Sequence, residues 1–366
     1  MEHNFNEIVK HFTFEGNFVE ANPYGFGHIN DTFAAYFKKR DNQVHRYIIQ
    51  RINHNVFKSP ENLMHNIDGV TRHLRKKINL AGGDPDRETL NIISTIDGQS
   101  FYKSADGNYW RAYIFIEDAQ TYQLVENLQH LCNAGKAFGK FQKLMGDFPA
   151  AQLHETIINF HHTAKRYQAF EEALKNDAMG RASAVKAEID FVQKRANETS
   201  ILIDLLKDGK LPLRVTHNDT KFNNVMIDDK TGEGVCVIDL DTVMPGLSLY
   251  DYGDSIRSGT NPADEDEKDL SKVCMDLTLF ESFTKGFLEA AGDFLTEQEI
   301  KYLPFSAKMM TLECGIRFLA DHLSGDTYFK IHREGHNLDR ARTQFKMVAD
   351  MEEKFEEMKL IIRKYC

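Results

Sequence analysis

The spacing of apolar residues changes about a third of the way along the chain. Before residue 117 the apolar runs are short and β-branched. Segment 19–36 (VEANPYGFGHINDTFAAY) reads as two strands joined by a glycine-containing turn, 46–52 (RYIIQRI) as a further strand, and 99–103 with 109–116 as a strand pair. The turn Ala105-Asp106-Gly107-Asn108 has the composition of a hairpin connection. One helix interrupts this region. Leu63, Ile67, Val70 and Leu74 recur at helical spacing, and Ser59-Pro60-Glu61 suits a helix start. After residue 117 the 3–4 spacing dominates. Leu131, Ala134, Phe138 and Phe141 mark one face of a helix, and 162–178, 183–206, 265–290, 297–322 and 338–362 also read as helices. Only Val225-Met226-Ile227 and Val235-Cys236-Val237-Ile238 break the pattern. The turn sequence Asp228-Asp229-Lys230-Thr231-Gly232 joins them into an expected hairpin. The pattern predicts an α+β fold of two lobes, a strand-rich lobe over residues 1–117 and a mainly helical lobe over 118–366.

Composition narrows the function classes. Apolar residues make up 42% and charged residues 27%, enough to build a sizeable core. The net charge is −10 and no Lys/Arg block occurs, so a nucleic-acid partner is not expected. The five cysteines are scattered without a C-x-x-C pair, which argues against a disulfide or metal-cluster scaffold and for a reducing, cytoplasmic setting. No run of about 18 apolar residues is present, so no membrane partner is expected. Nothing in the pattern calls for an obligate protein partner.

The chemistry concentrates in 215–259. His217-x-Asp219-x-x-x-x-Asn224 precedes the hairpin and Asp239-x-Asp241 follows it. Phosphoryl transfer asks for one carboxylate to receive the proton of the attacking hydroxyl, and an amide oxygen and a second carboxylate to hold Mg²⁺ against the phosphates of ATP. Asp219 fits the first role; Asn224 and Asp239 fit the second. The hairpin returns the chain to its starting edge, which lets these residues converge. Asp241 leaves an extended chain on the same side as Asp239, as a further metal ligand or as an acceptor for backbone N–H groups. His217 reads as a packing residue of the loop.

Upstream, Gly25 and Gly27 stand in a strand–turn–strand setting suited to a lid whose N–H groups approach phosphates. His28 and Asn30 are short polar groups that could face the acceptor. Where a kinase strand would carry a phosphate-binding lysine, the sequence reads Gln50-Arg51. Their side chains leave opposite faces, so either Gln50 or Arg51 could serve, but not both. Residues Tyr113 to Glu117, with Phe115 and Glu117, are placed as the hinge beside adenine.

These motifs resemble the aminoglycoside phosphotransferase and choline kinase superfamily, a protein-kinase-like fold. PYGFGHIN, RVTHNDTKFNN, VIDLDTVMPG, YDYGDSIRSG, DEKDLSKV, LPFS and ECGIRFLADHLSGDTYF carry the likeness along nearly the whole chain. THNDTK, IDLDT-MPG and ECG-RFLAD are similar to the N-acetylhexosamine 1-kinases within it, as is the glutamine in place of the strand lysine. The resemblance implies ATP and Mg²⁺ as cofactors and transfer to the anomeric hydroxyl of GlcNAc or GalNAc. It also implies Asp219 as base, Asn224 and Asp239 at the metal, and His28, Arg317 and Tyr328 in the sugar pocket. Competing readings exist for several residues. Glu313, Arg317 and Asp321 are spaced for an intrahelical ion ladder, and His161-His162 suit a surface or a helix start. Asp264 to Lys268 suit a solvated helix N-terminus, Met309-Met310 core filling, and Asp254 and Arg257 a brace for the catalytic loop.

Overall fold

The computed structural model describes residues 3–25, 27 and 29–366. A short helix α1 (Phe5–Ile8) leads into β1 (Asn17–Pro23), β2 (Asp31–Lys38) and β3 (Val44–Ile52), then α2 (Pro60–Leu80), β4 (Tyr102–Lys103) and β5 (Tyr109–Ile114). The five strands form one antiparallel sheet in the order β1-β2-β3-β5-β4. Strand alternation gives the sheet two different faces. Phe37, Tyr47, Ile49, Trp110 and Ala112 pack with Ile8 and Phe12 into a small apolar cluster. On the other face Thr32 lies opposite Gln50, and Gln50 opposite Arg111.

The strand pair β6 (Ala119–Gln120) and β8 (Val225–Asp228) stitches the start of the second region to its central hairpin, whose other strand is β9 (Gly234–Val237). Between them run α3 (Leu128–Leu144), α4 (Thr163–Asn176), α5 (Lys186–Gln193), α6 (Ile201–Lys207) and β7 (Arg214–Thr216). After the hairpin come β10 (Met244–Gly246), α7 (Ser248–Gly259), α8 (Leu277–Ala291), α9 (Glu297–Ser324), α10 (His336–Glu353) and α11 (Phe355–Lys364). Leu131, Ala134, Phe138 and Phe141 are buried, and Met309-Met310 fill the core. α3 and α8 cross with backbones almost touching. A Cβ on Gly135 would lie 2.4 Å from Phe283 O, and one on Gly286 1.8 Å from Cys132 O.

Three helix expectations need correction. The segment 183–206 is two helices, because the RANETS stretch turns at Arg195 (φ −104°, ψ 6°) and Thr199 Oγ1 donates to Ala196 O at 2.7 Å. Such side chains compete with the helical backbone. The helix expected at 265–290 starts only at Leu277, where the Asp276 carboxylate accepts from the N–H groups of Thr278 (2.7 Å) and Leu279 (3.0 Å). Asp264 to Lys268 therefore lie in a loop, with Glu265 against Arg257, Asp266 against Arg333 and Glu267 against Lys272. The helix expected at 338–362 breaks at Lys354 (φ −95°, ψ 14°), whose ammonium donates to Met275 O at 2.9 Å.

Candidate active site

The loop after β7 is held by buried groups on every side. Asn218 adopts φ +65°, a conformation asparagine tolerates better than most residues. Its amide donates to Thr242 O at 2.9 Å. From α7, Asp251 accepts the N–H groups of His217 (3.0 Å) and Asn218 (2.8 Å), and Asp254 accepts that of Thr220 (3.0 Å). Arg257 Nε holds Asp254 at 2.8 Å, so Asp254 and Arg257 do brace the loop. His217 is fully buried. Its Nε2 donates to Ile238 O at 2.8 Å, and its Nδ1 accepts the Asp219 N–H at 3.2 Å. Ile238 N–H in turn donates to Asn224 O at 2.9 Å. These bonds tie the two ends of the β8–β9 hairpin, which brings Asp219, Asn224 and Asp239 to one edge.

The three residues differ in what they have free. Asp219 is half-buried, with Lys221 Nζ 2.8 Å from Oδ1. Burial opposes its ionisation, but Lys221, His217 and Arg257 outweigh burial and hold its pKa below the ordinary value. Asn224 donates its amide to Asp219 O at 2.8 Å, which leaves its own side-chain oxygen facing outward from that bond. Asp239 sits at φ +59° and is exposed; among the described residues its carboxylate has no hydrogen-bond or ion-pair partner. Burial of its surroundings and the like charges of Asp241 and Asp219 raise its pKa to about 6. Asp219 is paired with Lys221 and Asp241 with Arg111, so among the described residues Asp239 is the carboxylate of the three left without a counter-charge, a fitting place for a cation. Among the described residues no three His, Cys, Asp or Glu side chains form a metal cage by themselves. An amide oxygen and one carboxylate fit the incomplete site of Mg²⁺, whose remaining ligands are phosphates and waters.

Asp241 is engaged differently. Arg111 on β5 reaches it across the cleft (NH1 to Oδ1, 2.5 Å), and Asn30 Nδ2 donates to Oδ2 at 2.5 Å. Asn30 Oδ1 accepts the Asn53 N–H at 2.9 Å, so its polar atoms are bonded within the protein. Gln50 links Arg111 Nε (2.9 Å) to Thr32 Oγ1 (2.9 Å), while Arg51 turns away to Asp31 (2.7 Å) and Asn108 (3.2 Å). The buried cation of the cleft is thus neither of the two considered from sequence. It is Arg111, and the visible signal was a charge inside the otherwise apolar run YWRAYIFI.

On the other flank, the ion ladder that the spacing along α9 offered as an alternative does not form. Glu313 is buried against His161 Nδ1 (2.8 Å) and Thr163 Oγ1 (2.6 Å), and Asp321 accepts the N–H groups of Thr327, Tyr328 and Phe329. Arg317 between them is half-buried, its guanidinium 5.3 Å from the Phe160 ring, 5.4 Å from Phe329 and 5.9 Å from Tyr328. Arg166 donates twice to Phe160 O (3.1 and 2.9 Å). Burial and the adjacent charge of Arg317 push its pKa down. Tyr328 is exposed, and His28 lies outside the described residues. His161, expected at a surface or a helix start, is buried, and its Nε2 lies 2.9 Å from Asn218 O, so it joins α9 to the loop after β7. His162 starts α4, accepting the Lys165 N–H at 3.3 Å.

The sequence profile described as the phosphotransferase enzyme family matches residues 21–296. The chain belongs to this family. Solved structures agree on the fold. An aminoglycoside phosphotransferase from Alicyclobacillus acidocaldarius superposes with a TM-score of 0.65 at 11% identity, covering 100% of this chain and 96% of the other. An amicoumacin kinase in complex with AMP-PNP and Ca²⁺ gives 0.59 at 12% identity over 94% and 93%. Choline kinase from Cryptosporidium parvum gives 0.52 at 16% identity over 94% and 92%.

In this phosphotransferase the turn between sheet and helices is clamped. Arg87 donates to Glu117 O and, at 3.1 Å, to Asp118 O, and pairs with Asp228 at 2.6 Å. Sequence reasoning missed Arg87, a lone arginine in a turn. The Glu117 carboxylate is held by Arg46 Nε (3.0 Å), whose guanidinium lies 3.8 Å over the Phe115 ring. Tyr24 meets that ring edge-on at 5.3 Å. Gly25 has φ +77°, and a Cβ there would meet nothing within 4 Å; one on Gly27 would meet only Asn30 O, at 4.0 Å. Among the described residues no helix is long and apolar enough to cross a membrane.

Proposed function

We propose that this phosphotransferase transfers the γ-phosphoryl group of Mg²⁺-ATP to the anomeric hydroxyl of an N-acetylhexosamine, giving the sugar 1-phosphate and ADP. The observation that carries the acceptor reading is Arg317, half-buried among three aromatic rings and, among the described residues, joined to no carboxylate. Arg166 adds a second cation beside it. Such a pocket repels a protonated amine. It suits a neutral acceptor that offers hydroxyl and carbonyl oxygens to donors and a sugar face to the rings. The motif resemblance to hexosamine 1-kinases favours the same acceptor.

In the reaction Asp219 orients the hydroxyl and receives its proton as the new O–P bond forms and the bond to the β-phosphate oxygen breaks. Its low pKa suits this role, because an anomeric hydroxyl is acidic for an alcohol and a loose transition state asks little of the base. Lys221 holds Asp219 Oδ1, and Oδ2, which has only a long 3.4 Å contact from the Asn224 amide, takes the hydroxyl. Asn224 and Asp239 would hold Mg²⁺, which supplies charge neutralisation for the phosphate oxygens. Gly25 and Gly27 cover the phosphates, with Phe115 and Glu117 in the segment beside adenine.

The test is phosphorus NMR of products formed from Mg²⁺-ATP and a panel of GlcNAc, GalNAc, glucosamine, choline and an aminoglycoside. An anomeric phosphate from the N-acetylated sugars alone is expected. Transfer to choline or the aminoglycoside instead would overturn the acceptor assignment.

A further inference from the structure

The cation that a kinase cleft carries on β3 is paired, in protein kinases, with a glutamate on the following helix, and that pair must form for activity. Here the helix supplies no such partner. From α2 the Arg111 guanidinium meets Met64 Sδ at 4.0 Å, and Glu61, at the start of α2, bonds instead with Tyr109 Oη at 2.9 Å. Arg111 and Asp241 are each buried, at 2% and 3% exposure, and form the cleft's buried ion pair. Asn30, from the end of the glycine lid, donates to the same carboxylate. One side chain of the metal loop is therefore gripped by two residues of the N-terminal region, one from the sheet and one from the lid.

We propose that Arg111 is a positioning residue that fixes Asp241, and through it the turn that presents Asp239 to the metal. The inference rests on the reading of Asp239 as a Mg²⁺ ligand. Its geometry is short-range. Asp241 lies two residues beyond Asp239 in a single tight turn, Leu240–Thr242, entered from a left-handed φ at Asp239. A displacement of Asp241 rotates that turn and turns the Asp239 carboxylate away from Asn224. The sheet, the lid and the metal loop thus meet at one carboxylate, and the helix position that controls the ion pair in other kinases is relieved of that part.

The experiment titrates a fluorescent ATP analogue into the full chain at a series of Mg²⁺ concentrations, without sugar, alongside thermal unfolding. Arg111→Met is expected to raise the Mg²⁺ concentration for half-maximal nucleotide binding by about tenfold or more, the usual size of a lost ligand-orienting contact. Binding of adenosine, which has no phosphates, should not change. Arg111→Lys should fall between, since an ammonium cannot hold Gln50 and Asp241 with one fork. Arg111→Met leaves the buried Asp241 without its counter-charge, so Arg111→Met with Asp241→Asn removes both charges while keeping an acceptor for Asn30. That pair should recover thermal stability without recovering the Mg²⁺ dependence. Recovery of both would make Arg111 a purely structural residue and overturn the proposal. Because no sugar is present, failure of the hexosamine reading leaves this measurement intact, whereas wild-type protein that binds no Mg²⁺-nucleotide would overturn both.

Discussion

Around Asp219 nearly every backbone amide is tied to a buried side chain, whereas neither Arg317 nor Arg166 is joined to a carboxylate among the described residues. The two flanks of one cleft are built by opposite rules. On the catalytic flank α7 sends Asp251 and Asp254 into the loop, and His217 and His161 pin it from above and below. On the acceptor flank the charged neighbours of Arg317 are drawn away: Glu313 toward His161, and Asp321 toward the 327–329 amides. In the proposed reading, position is fixed where bonds are made and broken, and a guanidinium without an acidic partner among the described residues stands where a substrate is read. His161 and Glu313 join the two, so the same chain of bonds that steadies the loop also frees the arginine.

Substitutions can break that contrast, and the largest effect belongs to the chemistry. Asp219→Asn should lower kcat by roughly 10³-fold with the fold intact, the loss expected when a proton acceptor is removed. Steady-state kinetics with a coupled ADP assay checks it, and near-normal turnover would remove Asp219 from the reaction. Next, Asp251→Ala leaves two buried N–H groups unpaired and should cost about 3 kcal/mol or more in urea unfolding. A cost under about 1 kcal/mol would show that the loop is not held from α7. Arg317→Ala breaks no ion pair, so its stability should stay within about 0.5 kcal/mol of wild type. Its KM for the sugar should rise about tenfold, equivalent to about 1.4 kcal/mol of lost binding; an effect on unfolding alone would make Arg317 structural. The smallest expected change is in selectivity. Arg166→Gln should raise the rate on glucosamine relative to GlcNAc a few-fold by removing one repelling charge, and an unchanged ratio would show that Arg166 does not face the acceptor.

How far the site could be read from sequence follows from how local its causes are. The convergence of Asp219, Asn224 and Asp239 was legible because a short hairpin with its own turn signal lies between them, so spacing alone implies it. Arg111 was not, because its partner Asp241 is 130 residues away and a register between strands, invisible in one strand's pattern, sets it opposite Gln50. His161 failed for the same reason. A histidine pair before a helix looks like surface until Glu313, 152 residues on, closes over it. The fold was read more fully than its boundaries. Periodicity marked the buried faces of α2 and α3, but capping decided the ends, as Asp276 did for α8.

The crossing of α3 and α8 bears on the stiffness of the whole catalytic edge. Gly135 and Gly286 leave no side-chain layer between these helices, and Gly234 of β9 presses on α3 in the same way, with a notional Cβ 2.8 Å from Asn133 O. Side chains absorb small displacements by changing rotamer; a contact of backbone on backbone has no such slack. The hairpin that ends at Asp239 therefore rests on two helices that behave as one plate. A side chain added at Gly135, Gly286 or Gly234 would meet backbone that cannot step aside, and would displace the strand that leads to Asp239.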